Sequence, residues 1–424
     1  MSPDRPADGS DTSLLTLLRQ PAFGFYTAMR VAFQVGNAVQ IAAMTWQVYE
    51  LTGSPLPLAA VALARFVPSF AMSFIGGAVA DTADRRLVLG AAQTAPVLTS
   101  LLLWAVTAAG ADALPLIYVS SALLGVASAF GEPARHSLLP QVVTRALFQR
   151  AVAISTTLQQ LGGVVGPVIA GYLLATAGIA PAYLCHVAMM LLGLAALACI
   201  RVAAGGSQRS TLSVQMIKDG FLYLRDQPAV LGSMVLDLFS VIFAGANALL
   251  PIYASDILDV GAQGYGLLNA SRAVGAFGAA LVLAMRPPVL ATGRVMVVTV
   301  AIFGLGTMAF GLSTWFPLSL ALYAITGAAD QVSVVMRQSI IQLSTPDALR
   351  GRVSSVNQVF LAASNQLGAV ESGVVAAWTN AMFAVVTGGL GCLVSLAIIV
   401  RLIPALWRHR TDREPVEAAP AATT

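Results

Sequence analysis

The sequence predicts an all-α integral membrane protein whose twelve transmembrane helices form two pseudo-symmetric six-helix lobes, and three observations predict it. Of the 424 residues, 57% are hydrophobic and 10% charged, against about 25% charged in ordinary soluble domains. That supply cannot cover a water-facing surface, and a mean hydropathy of +0.80 makes lipid the main solvent. Glycine, proline and charge divide the chain into about twelve apolar segments, each near the roughly 20 residues that cross a bilayer as a helix. Finally, segments four and five recur as ten and eleven at one fixed offset. Long uninterrupted apolar runs favour helices over barrel strands, which would alternate lipid-facing and lumen-facing residues.

The N-terminal tail, 1–21, carries Asp4, Asp8 and Asp11, which do not suit the basic start of a cleavable signal peptide, so the first helix is expected to be retained. Segment one (22–48) sets Arg30, Gln34 and Asn37 at i, i+4 and i+7, within about 60° of one another around the axis. The stem of Arg30 is long enough to snorkel partly toward the near end. Segment two (55–80) holds Arg65 near mid-depth and stops at GGAVADTADRR, residues 76–86. Segment three (86–109) is followed by segment four (114–139), where Ser121, Gly125, Ser128 and Glu132 share a face and Arg135 stands three residues beyond Glu132, close enough for a local pair. Segment five (151–176) contains Gly162, Gly166, Pro167 and Gly171. Small residues four apart let helices approach, and Pro167 removes a backbone donor and bends the helix.

Segment six (180–201) carries Cys185, Cys199 and His186, the histidine being read as a hydrogen-bonded packing residue. In the linker, 202–227, Val214, Ile217, Phe221 and Leu224 recur at three- and four-residue steps, which suits a short helix on the membrane surface. Segment seven (228–252) contains Asp237, with no basic residue one turn away, and segment eight (262–285) contains Arg272. Segment nine (293–313) precedes segment ten (316–341), which carries Asp330, Gln331 and Arg337; Asp330 and Arg337 share a face and can neutralise each other. Segment eleven (353–378) holds Glu371 and segment twelve (381–405) Cys392, before a tail over 406–424. Trp46, Trp104, Trp315 and Trp378 fall near one set of helix ends, as interfacial anchors do.

Charge orients the bundle. Connections at one end hold Arg85, Arg86, Arg145, Arg150, Arg286, Arg294, Arg350 and Arg352, whereas the six at the other end hold no Lys or Arg and carry Glu50, Asp112, Asp256 and Asp259. Because Lys and Arg resist translocation, both termini are expected in the cytoplasm. The net charge of +4 then reports topology, and no nucleic-acid partner is read from it. The three cysteines fall inside apolar segments and the three histidines have no ligand spacing, so neither a disulfide frame nor a metal is expected. No nucleotide loop, zinc-protease motif or serine elbow is present, so an enzyme and a cofactor are not expected either.

The repeat is specific. RHSLLP (135–140) matches RQSIIQ (337–342), RALFQR (145–150) matches DALRGR (347–352), and GPVIAG (166–171) matches GAVESG (368–373), all without gaps. Arg65 in ALARF similarly echoes Arg272 in NASRA. Two lobes follow, 22–201 and 228–405.

The Gly-x-x-x-Asp-x-x-x-Arg-Arg pattern at 77–86 resembles the signature of the major facilitator superfamily, whose transporters share this six-plus-six plan. Thr82 and Asp84 stand where that family has a basic residue and a glycine. VYELTGSPLPLAAVALARFVPS (48–69), EPARHSLLP (132–140) and TPDALRGRVSSVNQ (345–358) resemble the branch containing the enterobactin exporter, macrolide efflux proteins and transmembrane secretion effectors. The resemblance implies a cytoplasmic latch of Gly77, Asp81, Arg85 and Arg86, with Asp81 at the amino end of helix eleven, where orphan amides favour an anion. It implies that helices one, four, seven and ten line the substrate cavity, making Arg30, Gln34, Asn37, Glu132, Asp237, Asp330 and Gln331 candidates and Asp237 the candidate proton carrier. It sets helix two beside helix eleven, so that Arg65 and Glu371, at similar depths, become a candidate outer gate pair. The helix-five residues Gly162, Gly166, Pro167 and Gly171 resemble an exporter motif, although Ser121 stands where proton-coupled drug exporters carry an arginine.

The expectation is a monomeric, multi-pass secondary transporter of a bacterial inner membrane, exporting a small amphipathic or polar molecule such as a siderophore or drug. Antiport with protons is the expected drive. An importer or lysophospholipid flippase, and a non-transporting sensor or scaffold, are the alternatives.

Overall fold

The computed structural model describes residues 20–82, 84–144, 147–200, 221–287 and 289–410. Residues 1–19 and 411–424 of the tails, and Val214 and Ile217 of the expected surface helix, lie outside the described residues, while Pro404–Arg408 form a short helix at the start of the C-terminal tail; Phe221 and Leu224 sit in a helical turn over 221–225. Twelve long helices run through the described residues: α1 Pro21–Thr52, α2 Pro55–Thr82, α3 Arg85–Ala108, α4 Leu114–Val142, α5 Phe148–Thr176, α6 Ile179–Cys199, α7 Pro228–Ala244, α8 Gly261–Met285, α9 Thr292–Leu312, α10 Phe316–Ser344, α11 Asp347–Trp378 and α12 Ala381–Leu402. Ten helical stretches, α7 with its following turns among them, are long and apolar enough to cross a membrane. Helices α1 and α11 are long enough but more polar, and the polar side chains of α1 are turned into the protein. Gln40 donates to Ser100 of α3 at 2.7 Å, and Gln47 accepts from Tyr183 of α6 at 2.6 Å.

Helix starts differ from the expected ones where charge lies inside the first turns. α11 begins at Asp347, just after Pro346, and takes Arg350 and Arg352 into the helix. Charge marks where the chain leaves lipid, whereas proline marks where a helix can begin. At the start of α3 the side chain of Asp84 accepts from the amide of Arg86 at 2.9 Å, an N-cap that gives one acid of the 76–86 stretch a local role.

The expected continuous seventh span is broken. α7 stops at Ala244 and is followed by a 3₁₀ turn (Ala246–Leu249), one α turn (Leu250–Ile252) and a π turn (Tyr253–Ile257). Pro251 cannot donate back to the carbonyl four residues earlier, and at the break itself the Gly245 carbonyl accepts from the hydroxyl of Ser372 on α11 at 3.1 Å. In lipid such a break persists only where protein re-satisfies the backbone.

Packing repeats as the sequence does. Helices α1 to α6 pack mainly among themselves and α7 to α12 among themselves, with α5 against α8 and α2 against α11 as the main contacts between the two sets. A Cβ at Gly125 of α4 would overlap the carbonyl of Arg65 on α2, and one at Gly327 of α10 would overlap the carbonyl of Arg272 on α8. The same arginine-on-glycine crossing therefore builds both lobes.

The cores are unequal at the two ends. Near the acidic connections one apolar cluster runs through both lobes, including Val39, Leu58 and Tyr183 on one side and Leu249, Tyr265 and Phe310 on the other. Near the basic connections there are two clusters: one around Phe23, Leu89, Leu138 and Met190, the other around Met234, Met296, Ile340 and Val353. The lobes are joined at the acidic end and keep separate cores at the basic end.

Candidate functional site

A cavity of about 320 Å³ lies between the lobes, at the lower end of the roughly 300–1,000 Å³ usual for ligand pockets. Its polar wall comes from the first lobe: Gln34 and Asn37 of α1, Arg65 of α2, and Glu132 and Arg135 of α4. Ala38, Ile41 and Pro167 make an apolar wall, and Tyr265 and Asn269 of α8 close it from the second lobe. Thus the α1 stripe contributes Gln34 and Asn37 to the lining, separated by one helical turn.

Ionic groups are arranged asymmetrically. Arg135 donates to Glu132 at 2.8 Å; its side chain is only 8% exposed, while that of Glu132 is 51% exposed. The Arg135 guanidinium lies 5.9 Å from the Phe33 ring, within cation–π range. Arg65, half-buried, has Glu132 as the carboxylate that acts on it. Arg30, one turn from Gln34 toward the basic end, donates to Gln159 of α5 and, at 3.2 Å, to Tyr26.

The second lobe neutralises its own charges. Asp237 of α7 and Arg337 of α10 form an ion pair with side chains 4% and 0% exposed. Asp330 pairs instead with Arg272 of α8 at 2.9 Å, and Arg272 also donates to Asn247 at 3.1 Å. Tyr323 donates to the same Asn247 oxygen. Two sequence expectations change here. Asp237 has a basic partner, supplied by another helix, and Asp330 and Arg337 each neutralise a residue elsewhere. Gln331 is partly exposed on α10.

The gate pair is also corrected. Arg65 faces the cavity beside Glu132, whereas Glu371 accepts from its neighbour Ser372 at 3.3 Å. Among the described residues no ion pair joins Arg65 to Glu371. The lobes are held together at that end by other contacts. A Cβ at Gly171 of α5 would stand 2.7 Å from the Cα of Gly266 on α8, and one at Gly373 of α11 would stand 2.5 Å from the Cβ of Ala59 on α2. The Trp46 and Tyr265 rings lie 5.4 Å apart, tilted by 33°, and Tyr49 donates to Asp256 across the lobes. Within the α5 motif, Gly162 and Gly166 face Gln34 and Ala38 of α1, while Gly171 faces α8.

At the basic end, the side chain of Asp81 and the surroundings of Gly77 lie outside the described residues. Arg86 reaches the backbone carbonyl of Ala198 on α6 at 3.1 Å. Gly76 lies against the Ala129 carbonyl inside its own lobe. His186, fully buried, has no hydrogen-bond partner on either ring nitrogen among the described residues, contrary to the expected hydrogen-bonded role. Among the described residues no cluster of His, Cys, Asp and Glu is placed to hold a metal.

The family described as "Transmembrane secretion effector" matches residues 12–421. The multidrug efflux pump Tap of Mycolicibacterium fortuitum is 28% identical over 367 residues, covering 80% of this chain and 86% of that protein. The enterobactin exporter EntS of Escherichia coli O1:K1 / APEC is 25% identical over 391 residues, 91% of each chain. Among solved structures, a POT family transporter in complex with 5-aminolevulinic acid aligns with a TM-score of 0.70 at 13% identity, covering 91% of this chain and 96% of that one. A bacterial homolog of the human lysosomal transporter Spinster, in an inward-facing and unoccupied conformation, aligns with a TM-score of 0.65 at 12% identity, covering 94% and 97%.

Proposed function

The chain belongs to the transmembrane secretion effector family of major facilitator transporters, and from that premise we propose that it exports a small amphipathic or polar molecule, of the drug or siderophore kind, by alternating access driven by an ion gradient. One observation carries the reading: a polar cavity sits between lobes that share a core at the acidic end and have separate cores at the basic end. A bundle of that form can rock about a midplane site. With both termini in the cytoplasm, as the basic connections suggest, this form opens inward and is ready to load an export substrate.

The Asp237–Arg337 pair is the proposed coupling element. Protonation of Asp237 would remove its charge and leave Arg337 to be compensated elsewhere, which ties the packing of α7 on α10 to a proton. The latch reading of Gly77, Asp81, Arg85 and Arg86 belongs to the opposite form, with the basic end closed. The exporter names of the two relatives support the direction.

The test uses everted membrane vesicles from a bacterial host producing the full chain, energised to be acid inside and given in turn anionic, neutral and cationic drug dyes and catecholates. Gradient-dependent uptake that ceases with a protonophore, and that Asp237→Asn abolishes, is expected. Uptake equal to that of vesicles lacking the chain, across a panel of drug dyes and catecholates, would remove the proposal.

A further inference from the structure

We propose that the cavity takes an oxyanion head carried on an apolar body, a carboxylate-type amphipath, with Arg65 and Arg135 as the residues that select the head. The inference rests on the reading of the cavity as the transport site and adds the charge of the substrate.

The argument begins with the ionic lining. Two guanidiniums, Arg65 and Arg135, face the cavity with one carboxylate, Glu132. The second lobe contributes Tyr265 and Asn269 to the lining, and its nearby acids Asp330 and Asp237 are already paired with Arg272 and Arg337. The lining is therefore left with an excess positive charge in a low-dielectric setting, where a single charge interacts far more strongly than in water. Arg30, one turn beyond Gln34, adds a further positive group whose bonds go to the neutral Gln159 and Tyr26.

A second observation points to a ligand. Arg135 is 7% exposed, lines the cavity, gives one Nη1 hydrogen bond to Glu132, and has its Nε buried with no hydrogen-bond partner among the described residues. A guanidinium presents its donors as a planar fork that matches an oxyanion, so one edge is engaged and a donor on the other is unused. Glu132, half in the open, is displaceable from this site in a way that the sealed Asp237–Arg337 pair is not. The apolar wall of Ala38, Ile41 and Pro167 suits the body of the ligand.

The test is equilibrium binding to the purified full chain in nanodiscs, read by dansyl fluorescence with four probes of one fluorophore: dansylglycine, its neutral amide, the cation dansylcadaverine and the long-chain acid 11-(dansylamino)undecanoate. Dansylglycine is expected to bind roughly tenfold or more tighter than its amide, as charge-assisted bonds imply, and the cation weakest. That ratio should collapse to about one in Arg65→Gln and Arg135→Gln, persist in Arg65→Lys and Arg135→Lys, and rise in Glu132→Gln. The Glu132→Gln arm keeps the inference testable should the arginine variants fail to fold. A stronger response to the long-chain acid, with the same arginine dependence, supports the inference with a lipid-like source; a stronger response to dansylglycine supports a soluble one. Equal binding of acid and amide, an arginine-independent ratio, or no binding of any probe overturns it. Acid-selective binding without vesicle uptake would fail the transport reading alone, and uptake of cationic dyes without acid selectivity would fail this inference alone.

Discussion

Arg337 of α10 donates to Asp237 of α7 in a place where neither side chain reaches solvent, the arginine 0% and the aspartate 4% exposed. The guanidinium has two further nitrogens, Nε and Nη2, without hydrogen-bond partners among the described residues. Removing either partner strands a buried charge, which costs about 3–5 kcal/mol.

Arg337→Gln and Asp237→Asn are each expected to lower the thermal unfolding temperature sharply, and the double variant to recover much of the loss. Unfolding followed in nanodiscs checks this. If the double variant recovers stability but not gradient-driven uptake, the aspartate carries the coupling; if it recovers both, the pair is a scaffold.

The Arg272–Asp330 pair is more accessible, with side chains 20% and 26% exposed. Arg272→Gln should therefore cost less than Arg337→Gln, about 1–3 kcal/mol, in the same unfolding measurement. A larger loss than for Arg337→Gln would contradict the ranking.

Arg65 and Glu371 should behave as independent sites. Exchanging both charges is expected to give no rescue beyond the single variants, whereas Arg65→Glu with Glu132→Arg should restore part of the uptake lost in Arg65→Glu. Uptake in the two double-mutant cycles is the measurement, and rescue by the Glu371 exchange would reinstate the gate.

His186 has both ring nitrogens buried and unpartnered among the described residues, and a buried polar group left so costs about 1–3 kcal/mol. His186→Leu is expected to leave the unfolding temperature unchanged or raise it. A drop of several degrees would reveal a partner for the imidazole, water included.

The sequence made some of this legible. Helix existence followed from apolar length, and the repeat that related Arg65 to Arg272 corresponds to the paired crossings at Gly125 and Gly327. The α1 stripe was readable because Gln34 and Asn37 are fixed relative to each other by the helix itself. Partners on different helices were not readable. Depth can be counted from a helix end, but rotation about the axis depends on packing, so the similar depths expected of Arg65 and Glu371 did not by themselves make them partners. Asp237 looked isolated for the same reason, since its counter-charge is a hundred residues away. The break after Ala244 had a signal, Gly245 and Pro251 within an apolar run, but its stabilising donor, Ser372, comes from α11.

Pulsed spin-label distances between the two ends of the bundle test the rocking of the lobes most directly. Labels at Leu87 and Leu343 report the basic end and labels at Leu51 and Trp315 the acidic end, all exposed positions, with Cys185, Cys199 and Cys392 replaced. Gly171→Leu, which wedges the α5–α8 contact, is predicted to lengthen the acidic-end distance and shorten the basic-end distance in the same fraction of molecules. Lengthening at one end with no change at the other, or both distances moving in the same direction, would contradict two lobes pivoting around a central cavity.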